Sequence, residues 1–404
     1  MPRSGLRVGV VFGGRSVEHD VSIITGLQAC EVLEARHQPV ALYIDREGRW
    51  FAGESLRRIE SYRDGPLDAQ PVVLDLSSGV LRAEETQRRG RLHRGAPRAQ
   101  EQRLDVVIPA THGTQGEDGC LQGALELADL PYAGPTLEAA VLAMNKAVTK
   151  SMLRAAGIPV LEDLTLRRSE YERDGAAAII AKVKARFGLP VYAKPASLGS
   201  SVGVSRCGDE RELADALQLA FELDRLALVE PAIEGGKEIN CAVLGRPGGE
   251  PRVSACEQPI ASAGFLSFED KYMRERKGGG EKSGGGLKTE GGMSSAQRII
   301  PAPIGDELTA SVEDLAKRTF QTLGCTGVAR VDLLLDAQNR LFVNEPNTIP
   351  GSFSFYLWEP VGLAFPDLLD ELIDIALAEH AEKQQTTRTF QTNLLAMRGK
   401  GPKA

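Results

Sequence analysis

A predicted hairpin near the carboxyl end of the chain, residues 327–347, carries the residue types with the clearest chemical potential. Side chains of a strand alternate between faces, so Arg330 and Asp332 share one face. On the returning strand, Glu345 and Asn347 also share a face. Carboxylate and amide oxygens suit Mg²⁺, which typically bridges substrate phosphates. The hairpin is therefore predicted to bind Mg²⁺; the alternative is a solvated face with one Arg–Asp ion pair.

A second candidate is the loop 194–203, with the sequence KPASLGSSVG, which follows a predicted strand. Its small residues would let backbone N–H groups come close to an anion. It is not a Walker A loop, because Lys194 precedes the glycines and no helix signal follows at once. An anion-binding loop and an ordinary turn stay equally open. Lys146 and Lys271 would add positive charge, or would be ordinary surface lysines.

Two polar loops in the first third of the chain carry further candidates. Residues 13–20, GGRSVEHD, include Glu18, and residues 111–119, THGTQGEDG, include His112. Both loops follow strand-like segments, and ligands of a parallel sheet bind at the carboxyl ends of its strands. We therefore expect the two loops to lie side by side. For His112, a satisfied structural histidine is the alternative.

The elements that must position these residues alternate in the first third between strand and helix patterns, which is typical of a parallel sheet. Residues 46–100 are less regular and are interpreted as a hairpin-and-loop elaboration of that sheet. One long helix is predicted over 136–156, linking two domains. The later predicted helices are 176–187, 210–223, 306–323 and 365–382, and the predicted strands are 191–194 and several within 227–260.

A glycine-dense segment interrupts the last third of the chain, with eight glycines in the fifteen positions 278–292. Glycine at that density cannot hold a fixed conformation unaided. Basic residues recur along the segment, so we predict a functional lid, with a passive linker as the alternative.

Composition limits the classes of function. The 404 residues suggest two or three domains, and the net charge of −7 argues against nucleic-acid binding. No apolar run approaches the length that spans a bilayer, and no signal peptide is recognisable, so a cytoplasmic protein is expected. The six scattered cysteines are interpreted as reduced core residues, and no zinc-ligand spacing is present.

The candidate segments also resemble one known family. In order, the chain carries GGxSxEHxxS, HGxxGEDG, YxG, MxK, KPxxxGSSVG, a Lys–Tyr pair, RVDxxxD and NExNTxPG, which together resemble the D-alanine–D-alanine ligases of the ATP-grasp superfamily. The resemblance implies an α/β, three-domain ATP-grasp fold with an N-terminal Rossmann-like parallel sheet. It also implies a homodimer that acts on D-alanine with ATP and two Mg²⁺ ions, with Mn²⁺ as a substitute. No nucleic acid and no membrane would be involved.

The domains that the resemblance implies are residues 1–135, which carry the D-alanine loop, residues 136–225, and residues 226–404, which carry a mobile lid at 267–297. ATP would bind between the second and third domains. The nucleotide would be held by Lys146, Lys194, Ser200, Glu230, Glu238 and Lys271, with Lys271 on the γ-phosphate and the two glutamates on adenine and ribose. The metal ligands would be Asp332, Glu345 and Asn347.

The resemblance also implies roles toward the amino acids. Glu18 would receive the ammonium group of the first D-alanine and would form a hydrogen-bonded set with Ser200 and Tyr272. Arg330 and the backbone N–H of Gly351 would stabilise the tetrahedral oxyanion. His112 would belong to the same substrate-binding group.

The chain departs from the family pattern at three positions. Asn145 replaces an aspartate and is expected to alter only a helix cap or a surface contact. Leu198 replaces a glutamate of the phosphate loop. Tyr356 replaces a serine that holds the carboxylate of the second substrate, which leaves open a ligase for a different amino-acid pair. Tyr272, by contrast, is typical of dipeptide-forming members. A non-catalytic nucleotide-binding protein is the remaining alternative.

Overall fold

The computed structural model describes residues 4–62, 69–84, 101–260, 298–390 and 392. Within these residues the chain forms three β-sheets with helices packed against them, an α/β architecture as predicted. The predicted lid at 267–297, together with Lys271 and Tyr272, lies outside the described residues.

The first sheet has seven strands in the order β6-β5-β4-β3-β2-β1-β7. The strands are β1 (Arg7–Gly13), β2 (Gln38–Ile44), β3 (Trp50–Ala52), β4 (Gln70–Asp75), β5 (Val80–Ala83), β6 (Gln102–Arg103) and β7 (Val106–Pro109). β1 pairs in parallel with β2 and β7, whereas β3 to β6 extend the sheet in antiparallel pairs, as expected for an elaboration of its edge. Helices α1 (His19–Leu33) and α2 (Cys120–Leu127) follow β1 and β7.

Two helices, α3 (Leu137–Met144) and α4 (Lys146–Ala155), follow the first sheet, so the prediction of one long helix was wrong. Asn145 between them is extended, with φ −91° and ψ 98°. Its side chain accepts hydrogen bonds from the backbone N–H groups of Ala147 and Val148. Asparagine favours this capping position, and it starts a new helix whose first residue is Lys146.

The second sheet has four antiparallel strands in the order β10-β9-β11-β8. The strands are β8 (Leu164–Arg167), β9 (Val191–Pro195), β10 (Ser205–Cys207) and β11 (Leu226–Pro231), and the helices packed with them are α5 (Arg168–Asp174), α6 (Ala176–Phe187) and α7 (Glu210–Leu223). The apolar faces of α6 and α7 pack on this sheet in one core. The predicted bounds of both helices are confirmed because their apolar residues recur at helical spacing.

The third sheet has five strands in the order β14-β13-β12-β15-β16. The strands are β12 (Lys237–Gly245), β13 (Arg252–Pro259), β14 (Arg298–Ile299), β15 (Gly327–Leu335) and β16 (Leu341–Asn347), and the helices are α8 (Asp306–Thr322), α9 (Phe355–Trp358) and α10 (Phe365–Lys383). On β15, Val331, Leu333 and Leu335 enter the core that α8 also lines, so the predicted alternation of this strand is confirmed.

All six cysteines are free thiols, as expected, but only five are buried. Cys120 is exposed because it is the first residue of α2, where the helix meets solvent, so its assignment to the core was wrong. No helix among the described residues has the length and apolar character needed to cross a membrane.

Candidate active site

Asp332 of β15 is the central residue of a row of three polar residues that lie opposite one another on β12, β15 and β16. Asp332 is directly opposite Glu345 of β16 on one side and Asn240 of β12 on the other. Arg330 donates to both carboxylate oxygens of Asp332, at 2.6 and 2.8 Å. Arg330 and Asp332 are only 5% and 2% exposed, so the alternative of a solvated hairpin face was wrong.

The oxygens of this row fit a hard divalent cation. Each carboxylate already contacts a basic side chain. Asp332 contacts Arg330, and Oε2 of Glu345 lies 2.9 Å from Nζ of Lys146. Asn347 donates from Nδ2 to Asp332 at 2.9 Å, and its amide carries an oxygen that can turn toward a cation. No cluster of three His, Cys, Asp or Glu side chains able to hold a metal occurs in the described part of the chain. An ion here would need waters or phosphate oxygens as well, which is typical of Mg²⁺.

Lys146 joins the hairpin to the loop 194–203. Its Nζ donates to the backbone oxygen of Leu198 at 2.5 Å, so the replacement of the usual glutamate at position 198 leaves this contact intact. The loop therefore borders the site. The polar residues that line one cavity between the second and third sheets include Lys146, Lys194, Ser201, Glu230, Glu238, Asn344 and Glu345.

Glu230 of β11 is shared by two lysines. Lys194 Nζ lies 2.7 Å from Oε2 of Glu230 and donates to Oδ1 of Asn344 at 3.2 Å. Lys150 of α4 contacts the other oxygen, Oε1. Burial disfavours the charge on Lys194, but Glu230 and then Glu345 outweigh it and raise the pKa of Lys194. Burial also disfavours the charge on Glu230, but Lys194 and then Lys150 outweigh it and lower the pKa of this carboxyl group.

Lys150 was missed by the sequence analysis. Burial, only partly opposed by Glu230, lowers the pKa of Lys150. The signal that could have revealed it is its position four residues after Lys146, because residues at this spacing share a helix face.

Glu18 connects the loops that follow the strands of the first sheet to the loop 194–203. It is buried at the start of α1 but makes no side-chain capping hydrogen bond. Instead, Ser200 Oγ donates to Oε1 of Glu18. A Cβ atom at Gly113 or Gly199 would lie 2.6 or 2.9 Å from Oε2 of Glu18, so a side chain at either position would displace the Glu18 carboxylate. The prediction that the loops 13–20 and 111–119 lie side by side is confirmed.

His112 is buried and links helix α1 to the turn that begins at Gly351. Its Nε2 lies 2.9 Å from Oγ1 of Thr25, which also accepts the backbone N–H of Ser352 at 3.2 Å. Burial lowers the pKa of His112 to about 4, so the imidazole is neutral at pH 7. A neutral His112 can position the turn that begins at Gly351.

Glu117 makes a second link of this kind and was missed as a candidate, although it lies within the GEDG segment. Its two carboxylate oxygens accept the backbone N–H groups of Gly113, at 2.8 Å, and of Ile349, at 3.2 Å. Burial and then the nearby charge of Glu18 raise the pKa of Glu117 to about 8. The site thus contains a second, partly buried acid close to Glu18.

The turn at Gly351 has an unusual backbone. Ser352, Phe353 and Ser354 have φ of 51°, 53° and 51°, a left-handed conformation that is unfavourable for residues other than glycine. The turn is held by the contact of Ser352 with Thr25 and by burial of all three residues.

Tyr356 follows this turn and belongs to a polar cluster with Arg298 and the buried residues Glu257 and Asn240. Arg298 stacks over the Tyr356 ring, with Cζ 3.9 Å from its centroid, and lies 2.8 Å from Glu257. The Tyr356 hydroxyl donates to Glu257 at 3.4 Å, and Asn240 donates to Glu257 at 3.1 Å. Asn240 therefore connects this cluster to the row that contains Asp332.

The candidate residues of the sequence analysis thus fall into two groups. The first surrounds the cavity between the sheets and consists of Lys146, Lys194, Glu230, Glu238 and Glu345. Asp332 lies opposite Glu345 and contacts Arg330 and Asn347. The second meets at Glu18 and consists of Glu18 and Ser200, with His112 and the Gly351 turn close by. Lys271 and Tyr272 are outside the described residues.

Comparison with known proteins yields one family. The family model described as the N-terminus of D-ala D-ala ligase matches residues 7–135, and the model of its C-terminus matches residues 152–283 and 286–374. Curated relatives include D-alanine–D-alanine ligase A of Salmonella typhimurium, which is 36% identical and covers 95% of this chain and 99% of its own length. The enzyme of the same name from Escherichia coli strain K12 is also 36% identical and covers 93% of this chain and 97% of its own.

Solved structures similar to this chain are also ligases of D-alanine. The D-alanine-D-alanine ligase from Coxiella burnetii has a TM-score of 0.75 and 30% identity, with 95% of this chain and 97% of that chain covered. The VanG D-Ala:D-Ser ligase from Enterococcus faecalis has a TM-score of 0.72 and 28% identity, with 92% and 99% covered. These likenesses confirm the predicted ATP-grasp fold.

Proposed function

Since this chain belongs to the D-alanine–D-alanine ligase family, we propose that it joins two D-alanine molecules into D-alanyl-D-alanine while ATP becomes ADP and phosphate. The observation that supports this best is the buried Arg330–Asp332 pair. Asp332 lies opposite Glu345, which lines the cavity together with Lys146 and Lys194, and the loop 194–203 links that cavity to Glu18 through Ser200. A phosphate donor and an ammonium group can meet at this point. The product would serve as a precursor of peptidoglycan.

In the first step, a carboxylate oxygen of one D-alanine attacks the γ-phosphorus of ATP, the bond to the β-phosphate oxygen breaks, and ADP leaves. The resulting acyl phosphate is a good acyl donor, because phosphate can leave where oxide cannot. Lys146 and Lys194 would compensate the charge of the transferring group. Lys271 would do so at the γ-phosphate, while Glu230 and Glu238 would hold adenine and ribose.

Mg²⁺ would be held by Asp332, Glu345 and Asn347, whose oxygens fit it, and when bound it neutralises phosphate charge. We propose two ions, with Mn²⁺ as a substitute.

In the second step, the deprotonated amine of another D-alanine attacks the acyl carbon, and phosphate leaves. Arg330 would stabilise the negative oxygen of the tetrahedral intermediate together with the Gly351 N–H. Glu18, with Ser200 and Tyr272, would hold the ammonium group of the first D-alanine throughout. The neutral His112 and Glu117 would fix the surrounding loops.

We also propose a division into domains at 1–135, 136–225 and 226–404, a homodimer and a cytoplasmic location. The use of ATP and the formation of a peptidoglycan precursor support the location. Gel filtration with light scattering would test the dimer.

A second candidate is a ligase with a different acceptor amino acid, which the Tyr356 cluster favours. Tyr356 is held by Arg298 and Glu257 next to Arg330, where the acceptor must approach, and a solved relative is named a D-Ala:D-Ser ligase. Incubation with ATP, Mg²⁺ and D-alanine, alone and with D-serine or other amino acids, followed by mass detection, separates the candidates. We expect the mass of D-alanyl-D-alanine. ADP release without any dipeptide would contradict both.

A further inference from the structure

A buried lysine beside the nucleotide cavity, Lys150, has no role in the reaction steps above. Its side chain is 0% exposed, and its Nζ contacts Oε1 of Glu230. The other oxygen of Glu230 pairs with Lys194 at 2.7 Å. We propose that Lys150 is a positioning residue that neutralises Glu230 and thereby leaves Lys194 available to a nucleotide phosphate. This inference rests on the proposed function, since it requires phosphates to enter the cavity beside Lys194.

The ion pairs of this cluster are buried. Glu230 and Lys194 are 3% and 5% exposed, so water screens them weakly. Glu230 lies between Lys150 and Lys194, and Glu345 also favours the charge on Lys194. Lys150 lies on the buried face of α4, whereas Lys194 lines the cavity. A phosphate in the cavity therefore meets Lys194, and Glu230 keeps Lys150 as a counter-ion when Lys194 turns toward that phosphate.

Removal of Lys150 would leave Glu230 with one lysine contact fewer. Lys194 would become the remaining counter-ion of Glu230 in this cluster. A phosphate that drew Lys194 away would then leave a buried carboxylate uncompensated, which is strongly unfavourable. Nucleotide binding would weaken although no atom of Lys150 touches the nucleotide.

The experiment measures the affinity of the full chain for ADP in the presence of Mg²⁺ by isothermal titration calorimetry. Lys150→Met removes the charge and keeps the length of the side chain. We expect the Kd to rise on the order of ten- to a hundredfold, the range of a charge-assisted hydrogen bond. Lys150→Arg keeps the charge and should stay within about threefold of wild type. Lys182→Met, on the exposed face of α6, is the matched control and should change nothing.

A double-mutant cycle separates positioning from simple structural support. In the Glu230→Gln background no carboxylate remains to be neutralised, so Lys150→Met should change the Kd by less than about threefold. An equal loss of affinity in both backgrounds would overturn the proposal, as would a lowered melting temperature with an unchanged Kd. If Lys150→Met alone does not fold, the comparison of the double variant with Glu230→Gln still decides.

The same titrations distinguish this inference from the proposed function. A wild-type chain that binds no ADP with Mg²⁺ contradicts the proposed function. A wild-type chain that binds ADP as tightly as Lys150→Met does contradicts only the role of Lys150.

Discussion

The nucleotide side and the amino-acid side of the site arrange their charges differently. In the cavity between the second and third sheets, carboxylates pair with lysines: Glu230 contacts Lys150 and Lys194, and Glu345 contacts Lys146. Around the first sheet, the two acids Glu18 and Glu117 lie close enough that the charge of Glu18 raises the pKa of Glu117. A phosphate on the nucleotide side must therefore compete with carboxylates for the lysines, whereas two neighbouring acids on the amino-acid side favour a cation such as the proposed ammonium group.

The largest effect is expected where the two sides meet, at Glu345. Glu345→Gln keeps the shape of the side chain but removes a negative charge from the proposed metal site, next to Lys146. We expect kcat to fall on the order of 10²–10³-fold, comparable to the loss of one electrostatic group in an active site, with the fold intact. Steady-state kinetics over a range of Mg²⁺ concentrations measures this, with Glu307→Gln on the exposed start of α8 as the control. Near-normal turnover at low Mg²⁺ would refute the ligand assignment.

A smaller effect, confined to one substrate, is expected on the amino-acid side. Glu18→Gln retains length and hydrogen bonding but loses the charge that would hold the ammonium group. The KM for the first D-alanine should rise by roughly ten- to a hundredfold, the range of a charge-assisted contact, while the KM for ATP stays nearly constant. Glu31→Gln, exposed on the same helix, is the control. A lower melting temperature with unchanged D-alanine kinetics would instead make Glu18 an ordinary helix charge.

The raised pKa of Glu117 predicts a pH dependence of stability. The folded chain binds this proton up to a pH of about 8, whereas in the unfolded chain the group ionises near its ordinary value of 4.5. Between these values the folded state holds more protons, so the contribution of Glu117 to the free energy of unfolding decreases as pH rises, by at most about 1.4 kcal/mol per pH unit. Urea denaturation of wild type and Glu117→Gln from mildly acidic pH to pH 8 should show a flatter dependence for the variant. Parallel curves would mean that Glu117 is ionised throughout.

The smallest effect is expected at the hydroxyl of Tyr356. Its hydrogen bond to Glu257 is long, at 3.4 Å, whereas Arg298 contacts the ring. Tyr356→Phe should therefore change the KM for the acceptor D-alanine by less than about threefold. Tyr356→Ala removes the ring as well and should broaden the range of accepted amino acids. An unchanged acceptor profile in the alanine variant would remove Tyr356 from the acceptor site.

Local patterns predicted much of this arrangement. The alternation of β15 predicted that Arg330 and Asp332 share a face, and helical spacing predicted the bounds of α6 and α7, because both signals lie within one element. The break at Asn145 was missed because the apolar pattern continues across it. The helix ends there only because the Asn145 side chain caps the start of α4. Lys150 and Glu117 were missed because their roles depend on partners distant in sequence, Glu230 and Ile349, which only the tertiary structure brings to them.

An acyl-phosphate intermediate can be detected by following oxygen atoms through the reaction. If the first D-alanine is activated as an acyl phosphate, D-alanine labelled with ¹⁸O in its carboxylate must pass one labelled oxygen to the phosphate that is released. We expect mass spectrometry of the products to detect singly ¹⁸O-labelled phosphate, formed in the same amount as D-alanyl-D-alanine. Unlabelled phosphate formed together with dipeptide would contradict it.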